Sequence, residues 1–383
     1  MIFAAPQFQV PAIGASLRSQ SLLNLSKDEL GREFADLGEP SFRARQIWRA
    51  VYRDATSSFD EMTNLPRRLR SLLSEKFCIN PLETVLTLNS RDGSTDKMLF
   101  RLQDGQLIET VLMRYEADGH RNARSTVCIS TQAGCALGCT FCATGQQGFV
   151  RNLSSGEIVA QVLHIIRSAR LDGVHPRGNS ERKPVTNVVF MGMGEPLANY
   201  DATMAAVRTL NDAEGVGVGA RHITISTVGL VPQIMRLARE PLQINLAVSL
   251  HAADDETRNE TMPVNRRYPI ETLITACRQY VEETNRRIFF EYVLLRGQND
   301  SLMHATRLGQ LLRGLLCHVN VIPVNATKAG GYKRPSAYLT RAFQDVLKNE
   351  GVPSTVRMEK GIDINAGCGQ LRARVLDDRW GAS

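Results

Sequence analysis

The sequence predicts an α/β fold: a parallel barrel of the (β/α)6 type, preceded by a small N-terminal helical domain and a β extension. Three observations carry this. Apolar, β-rich runs alternate with helical stretches six times from Ser125 onward, which implies a parallel sheet clothed by helices. The segment before them opens with helix-start signals. Polar residues then fall just after the β-rich runs, where parallel barrels gather their chemistry. A doubly wound open sheet would follow the same alternation, but it more often shows a glycine-rich nucleotide fingerprint after the first strand, and none is present.

Residues 1–21, with Pro6 and Pro11, read as a flexible tail. Residues 22–80 form the helical accessory domain. Ser26 is the N-cap of its first helix, with Asp28 and Glu29 in the first turn. After the Gly38-Glu39-Pro40 break, a second helix bears Phe42, Ile47, Trp48, Val51 and Tyr52, and a third runs from Arg67 to Phe77. Arg43, Arg45, Arg49 and Arg53 accompany Trp48 and suit either a solvated helix face or a surface that grips RNA. Residues 81–124 are short strands and turns, including Met98–Leu102 and Ile108–Met113.

The barrel spans residues 125–350. Its β-rich runs are Thr126–Ser130, Asn187–Met191, His222–Ser226, Ile244–Leu250, Ile288–Leu294 and His318–Ile322. The helical stretches are Ser154–Ala169, Asp201–Leu210, Val231–Arg239, Ile270–Glu283, Ser301–Leu315 and Ser336–Asn349. Leu171–Pro184 reads as a polar surface insertion, and residues 351–383 as a C-terminal strand and loop.

With 383 residues, 43% of them hydrophobic, the chain can bury a full core in two or three domains. Eight cysteines in that length, three of them clustered, form no disulfide framework and point to a reducing interior. No segment approaches a membrane span, and the N-terminus lacks a basic start followed by an apolar run. A cytoplasmic protein with no membrane partner is expected. The net charge of +7 is compatible with a nucleic-acid substrate but does not require one.

Cys135, Cys139 and Cys142 lie at C-x3-C-x2-C spacing. Thiolates suit iron–sulfur clusters or zinc, and a structural zinc site wants four protein ligands. No fourth Cys or His follows at once, and His120 and His164 fit no compact zinc spacing. Three cysteines on a [4Fe-4S] cluster leave one iron open to a substrate or cofactor. A zinc knuckle and packed thiols in a turn are the alternatives. The Gly192–Pro196 turn follows the second run, and its glycines allow close backbone approach to a ligand or simply connect strand to helix. Ser226, Ser249, Leu250, His251 and Asn325 fall on the same rim, where each could equally be a cap or turn residue. Cys128 lies on the first run. Cys368, between Gly367 and Gly369, is a sterically open thiol, whereas Cys78, Cys277 and Cys317 suit a core.

Phe141, just before the third cysteine, makes the motif similar to that of the radical S-adenosylmethionine (SAM) superfamily. Longer stretches narrow the resemblance: Cys128–Cys135, Phe141–Leu153, Met191–Leu197 and Cys368–Leu371, with Phe42–Trp48 and Phe59–Pro66 in the helical domain. Together they resemble the bacterial radical SAM RNA adenine methyltransferases over nearly the whole chain. The resemblance implies a partial (β/α)6 radical SAM barrel with one [4Fe-4S] cluster on Cys135, Cys139 and Cys142. It also implies SAM held by Gly194, Glu195, Ser226, Ser249, Leu250, His251 and Asn325. The C8-methylating relatives share the cysteines but lack the Gln147–Arg151 run, so the resemblance implies methylation at adenine C2, in 23S rRNA and tRNA.

Adenine C2 lies between two ring nitrogens and is too electron-poor to attack a SAM methyl group. In the family's scheme Cys368, as thiolate, takes a methyl from one SAM by displacement. A second SAM, bound to the open iron, yields a 5′-deoxyadenosyl radical that abstracts hydrogen from S-methyl-Cys368, and the methylene radical adds to C2. Glu109 occupies the position of the proton acceptor, and Cys128 resolves the crosslink through a transient disulfide with Cys368. Two SAM per turnover, an external flavodoxin-like electron donor and a monomer complete the expectation. The rival readings are a C8-directed relative and a non-catalytic Fe–S protein that binds RNA or senses redox state.

Overall fold

The computed structural model describes residues 20–119, 122–171, 183–324, 331–357 and 360–364. Strand β1 (Gln20–Ser21) leads to α1 (Lys27–Asp36), which starts where Ser26 and Glu29 close a capping box: the Ser26 hydroxyl accepts from the Glu29 amide at 3.2 Å, and the Glu29 carboxylate accepts from the Ser26 amide at 2.8 Å. Helix α2 (Ser41–Trp48) follows Pro40 and continues into a π-helical turn at Arg49–Arg53. Helix α3 (Arg67–Lys76) follows Pro66 and runs into β2 (Phe77–Cys78), which pairs in parallel with β1. Phe34, Ile47, Trp48, Leu69 and Leu73 bury the inner faces of these helices.

This helical unit is bonded to the barrel. Lys27 and Arg49 both pair with Glu214, and Lys27 also reaches Asp212 at 3.5 Å. Arg167 donates to the carbonyls of Ala55 and Thr56, each at 3.1 Å. Arg49 therefore serves the junction, and Arg43 donates to Gln46 and the Asn64 carbonyl, while Arg45 stays exposed.

Strands β3 (Glu83–Asn89), β4 (Thr95–Arg101) and β5 (Leu107–Tyr115) form an antiparallel meander, and β5 pairs antiparallel with β6 (Arg124–Cys128). The hairpin of β7 (Gln132–Gly134) and β8 (Phe149–Asn152) brackets the cysteine loop and the short α4 (Ala143–Gln146). Then follow α5 (Ser155–Leu171), β9 (Asn187–Phe190), α6 (Tyr200–Asn211), β10 (Ile223–Thr227), α7 (Val231–Ala238) and β11 (Asn245–Ser249). The chain continues through α8 (Asp255–Thr261), α9 (Ile270–Thr284), β12 (Ile288–Leu294), α10 (Leu302–Leu312), β13 (Cys317–Pro323), α11 (Ala337–Asn349) and β14 (Ser354–Val356).

One ten-stranded sheet runs in the order β14-β13-β12-β11-β10-β9-β6-β5-β4-β3. From β6 to β14 every neighbouring pair is parallel, and the edge strands β14 and β3 do not pair with each other. The fold is the expected α/β class with a partial barrel. Tyr292 packs against Phe343 of α11 at 5.3 Å, so that face of β12 lies under the helices; Glu291, on the alternate face, points into the barrel. Among the described residues no helix is long and apolar enough to cross a membrane.

Candidate active site

The cysteine loop is shaped by backbone that only glycine accepts easily. Gly134 and Gly138 have φ of +78° and +64°, and a side chain on Gly134 would lie 2.0 Å from the Gly148 carbonyl oxygen. The Cys135 amide donates to that same carbonyl at 2.8 Å, and the Cys142 amide to the Cys139 carbonyl at 3.1 Å. The Thr140 amide donates to the Thr261 carbonyl at 3.0 Å, anchoring the loop to α8. Cys139 is buried against Met262 and Val264.

Burial, with the neighbouring thiol of Cys142 adding to it, pushes the Cys135 thiol up to about 11 and the Cys139 thiol up to about 12. Holding these groups together as thiolates calls for a cationic partner in their midst. Among the described residues no three Cys, His, Asp or Glu side chains converge on one ion position.

The Gly192–Pro196 turn follows β9 and is locked onto the segment after β6. The Ser130 hydroxyl donates to the Glu109 carbonyl at 2.6 Å and accepts from the Met193 amide at 2.9 Å. Gly194 has φ of +99°, and a Cβ there would come within 2.5 Å of the Gln132 side chain. Glu195 is buried; its amide donates to Gln132 Oε1 at 2.9 Å, and its carboxylate accepts from the amides of Leu197 at 3.0 Å and Val228 at 2.9 Å. Burial pushes this carboxyl up to about 7, against the pull of those hydrogen bonds. Gln132, which holds the Glu195 amide, lies on β7 three residues before Cys135, which puts both loops at one corner of the barrel.

Ser226 on β10 and Ser249 at the end of β11 are half-buried, and Leu250 is fully buried. His251 is buried with φ of +57°. Its Nδ1 accepts from the Val293 amide at 3.0 Å, which places the ring proton on Nε2. Burial, reinforced by the charge of Arg258, lowers this imidazole to about 3, so it is neutral. The ring meets Phe141 edge-on at 4.9 Å and thereby joins the rim to the cysteine loop. Asn325 lies outside the described residues.

A second polar group sits on the meander side. Glu109 on β5 and Lys97 on β4 are both buried and lie 3.7 Å apart. Lys97, Val111 and Cys128 form one cross-strand row, with Glu109 two residues from Val111 on the same face. Burial pushes the Cys128 thiol up to about 11; Arg357, the Met191 amide and Lys97 lower it, and Glu109 raises it. The described cysteines are all free, and Cys368 lies outside the described residues, as does any disulfide it forms with Cys128.

Sequence reasoning missed Lys97, Arg258 and Asn299. Fully buried Asn299 donates to the carbonyls of His251 and Val293 and accepts from the Leu295 amide, all at 2.7 Å, so it fixes the ends of β11 and β12. Lys97 left a signal, a lone cation before the apolar Met98–Leu99–Phe100. Arg258 left none, because its surroundings read as an ordinary polar helix.

The profile of the Radical SAM superfamily matches residues 129–308, and that of the Ribosomal RNA large subunit methyltransferase N-terminal domain matches residues 20–79. The chain is 51% identical to dual-specificity RNA methyltransferase RlmN 1 of Myxococcus xanthus (strain DK1622) over 359 residues, 93% of this chain and 95% of that one. It is 47% identical to the probable dual-specificity RNA methyltransferase RlmN of Staphylococcus aureus (strain bovine RF122 / ET3-1) over 355 residues, 93% of each chain. A crystal structure of a radical SAM methyltransferase from Sphaerobacter thermophilus matches with a TM-score of 0.86 at 52% identity, over 92% of this chain and 98% of that one. A cysteine loop beside a Gly-Glu turn on a partial barrel, joined to this helical domain, thus has full-length counterparts, and the chain belongs to the RlmN family of radical SAM RNA methyltransferases.

Proposed function

We propose that this protein methylates C2 of adenosine in both 23S rRNA, at the peptidyl-transferase centre, and tRNA, next to the anticodon. The reading rests on family membership and on one structural observation: the Glu195 amide is held by Gln132 on the strand that leads into the cysteine loop, at a corner of the barrel whose adjoining wall carries Glu109, Lys97 and Cys128 on one face. Cys135, Cys139 and Cys142 would hold the cluster. The chemistry that group supplies is a single electron for reductive cleavage of SAM. Glu195 would receive the SAM amino group, while Gly194, Ser226, Ser249, Leu250, His251 and Asn325 would receive the rest. Neutral His251 offers Nε2–H as a donor.

Cys368, as a thiolate, would accept the methyl of one SAM; a second SAM is consumed in taking a hydrogen from that methyl, and the sulfur-bound methylene joins adenine C2. Glu109 would accept the C2 proton. Cys128 would then attack the Cys368 sulfur, so that an S–S bond forms as the bond to the methyl carbon breaks; the released carbon takes up a proton to become the methyl group, the unpaired electron left by the radical addition returns to the oxidised electron carrier, and the disulfide must be reduced before the next turnover. Adenine must leave its stack to reach this interior. A flavodoxin-like electron donor, a cytoplasmic location and a monomeric state complete the proposal.

The test is mass spectrometry of the purified protein and of its RNA product. S-methylation of Cys368 with 2-methyladenosine in both RNA classes is expected. A product methylated at C8 moves the protein to the other branch, and normal methylation by Cys368→Ala refutes the cysteine relay.

A further inference from the structure

Helix α8 carries an arginine that no part of the reaction uses. Arg258 is fully buried, yet no carboxylate is among its hydrogen-bond partners. Its Nε donates to the Leu250 carbonyl at 3.0 Å, and its Nη1 to Asn265 Oδ1 at 2.8 Å. Its Nη2 donates to the carbonyls of Val228 at 2.7 Å and Ser249 at 3.2 Å. Asn265 is itself fixed, donating to Asp255 Oδ1 at 2.8 Å and Asn259 Oδ1 at 2.9 Å.

The carbonyls chosen are the telling part. Ser249 and Leu250 are the end of β11 and the rim beyond it. Val228 follows β10, and its amide is the one that holds Glu195 Oε2 at 2.9 Å. The last residue of the same α8, Thr261, accepts the Thr140 amide of the cysteine loop at 3.0 Å, and the next residue, Met262, packs on Cys139. One rigid fork thus spans two strand ends on a helix that is itself fastened to the cysteine loop. Burying a guanidinium without a bonded carboxylate is costly, and apolar packing would fill the same space more cheaply. Burial lowers Arg258 to about 10, which leaves it charged at neutral pH.

We infer that Arg258 is a positioning residue that holds the Val228, Ser249 and Leu250 backbone, and through Val228 the Glu195 carboxylate, in register with the cysteine loop, so that SAM meets both at once. The inference rests on the proposed SAM contacts of Glu195 and Ser249. Lysine at this position keeps the charge and most of the stem but loses the fork.

The experiment compares Arg258→Lys, Arg258→Gln, Glu195→Gln and Ser249→Ala in the full chain, reconstituted anaerobically with iron and sulfide. Iron content, melting temperature, SAM affinity by calorimetry and the electron paramagnetic resonance spectrum of the reduced cluster with and without SAM are measured. Arg258→Lys is expected to bind SAM about 10–100-fold more weakly, the range for lost outer supports of metal sites. Its iron content should match the parent protein, and its spectrum should respond less to added SAM. Arg258→Gln, which also removes the charge, should be weaker still. If Arg258→Lys binds SAM as the parent does while Glu195→Gln or Ser249→Ala binds poorly, Arg258 is not a positioning residue. If it loses iron and melting temperature in step with SAM, its role is folding of the cysteine loop and the inference is overturned. If Glu195→Gln and Ser249→Ala both bind normally, it is the assignment of the SAM site that fails.

Discussion

Replacing Lys97 by Met tests the buried pair on the meander side. Lys97 and Glu109 are 0% and 4% exposed with 3.7 Å between their charged atoms. Two unit charges at about that distance attract by roughly 4 kcal/mol at an effective dielectric constant of about 20. Desolvation consumes much of that gain, so the pair as a whole is near neutral for stability. Removing one member is different, because the other charge stays buried, and the usual cost is about 3–5 kcal/mol. We expect Lys97→Met and Glu109→Leu each to destabilise by that amount, and the double variant to cost no more than either single one. Urea unfolding followed by far-ultraviolet circular dichroism, run as a double-mutant cycle, reads the coupling. Costs that simply add, or a Lys97→Met chain within about 0.5 kcal/mol of the parent, would show that the pair is not energetically joined.

Alanine at Cys135, Cys139 or Cys142 should each abolish the brown absorbance and the iron and sulfide content; anaerobically prepared protein carrying one zinc and no sulfide would count against the cluster. Gly194→Ala would force a methyl into the Gln132 side chain at a φ of +99°, so a loss of about 1–3 kcal/mol and of SAM affinity should appear together by thermal melting and calorimetry. His251 is held to about 3 in the fold against about 6.5 unfolded, so its contribution to stability is present above about 6.5 and is lost as pH falls toward 3; His251→Gln should flatten the slope of stability against pH across that window in cluster-free protein. Arg45→Glu should weaken RNA binding with unchanged stability, whereas Arg49→Glu should loosen the junction with Glu214, which limited proteolysis between the helical unit and the barrel would reveal.

The barrel was legible because each of its strands is an uninterrupted β-rich run followed by a periodic helix, and Ile288–Leu294 is observed with the bounds its sequence predicts. Helix α8 was not, since Asp255–Thr261 is polar throughout and its start depends on the cap that Asp254 provides. The hairpin β7–β8 joins segments of three and four residues, too short to show alternation. The cysteine spacing announces its chemistry because ligand number and type are written in the residues themselves. The support of the site is written in carbonyl groups, which every residue carries, so the partners of Arg258 and Asn299 emerge only from the folded chain. Arg49 shows the same limit, since its partner Glu214 is 165 residues away.

On the roles proposed above, the row on the meander side also implies a sequence of events. Burial is the main reason the Cys128 thiol stays protonated, and the negative charge of Glu109 adds to it, while Arg357 and Lys97 work the other way. If Glu109 accepts the adenine proton, as proposed, that negative charge disappears in the very step that prepares the crosslink for cleavage. Lys97 and Arg357 then face Cys128 without opposition from Glu109, and the thiolate becomes easier to form. On these proposed roles the nucleophile that would break the crosslink is held back as a thiol until the base has given up its proton, so the wall of the barrel acts as an interlock that ties deprotonation of Cys128 to the charge lost at Glu109.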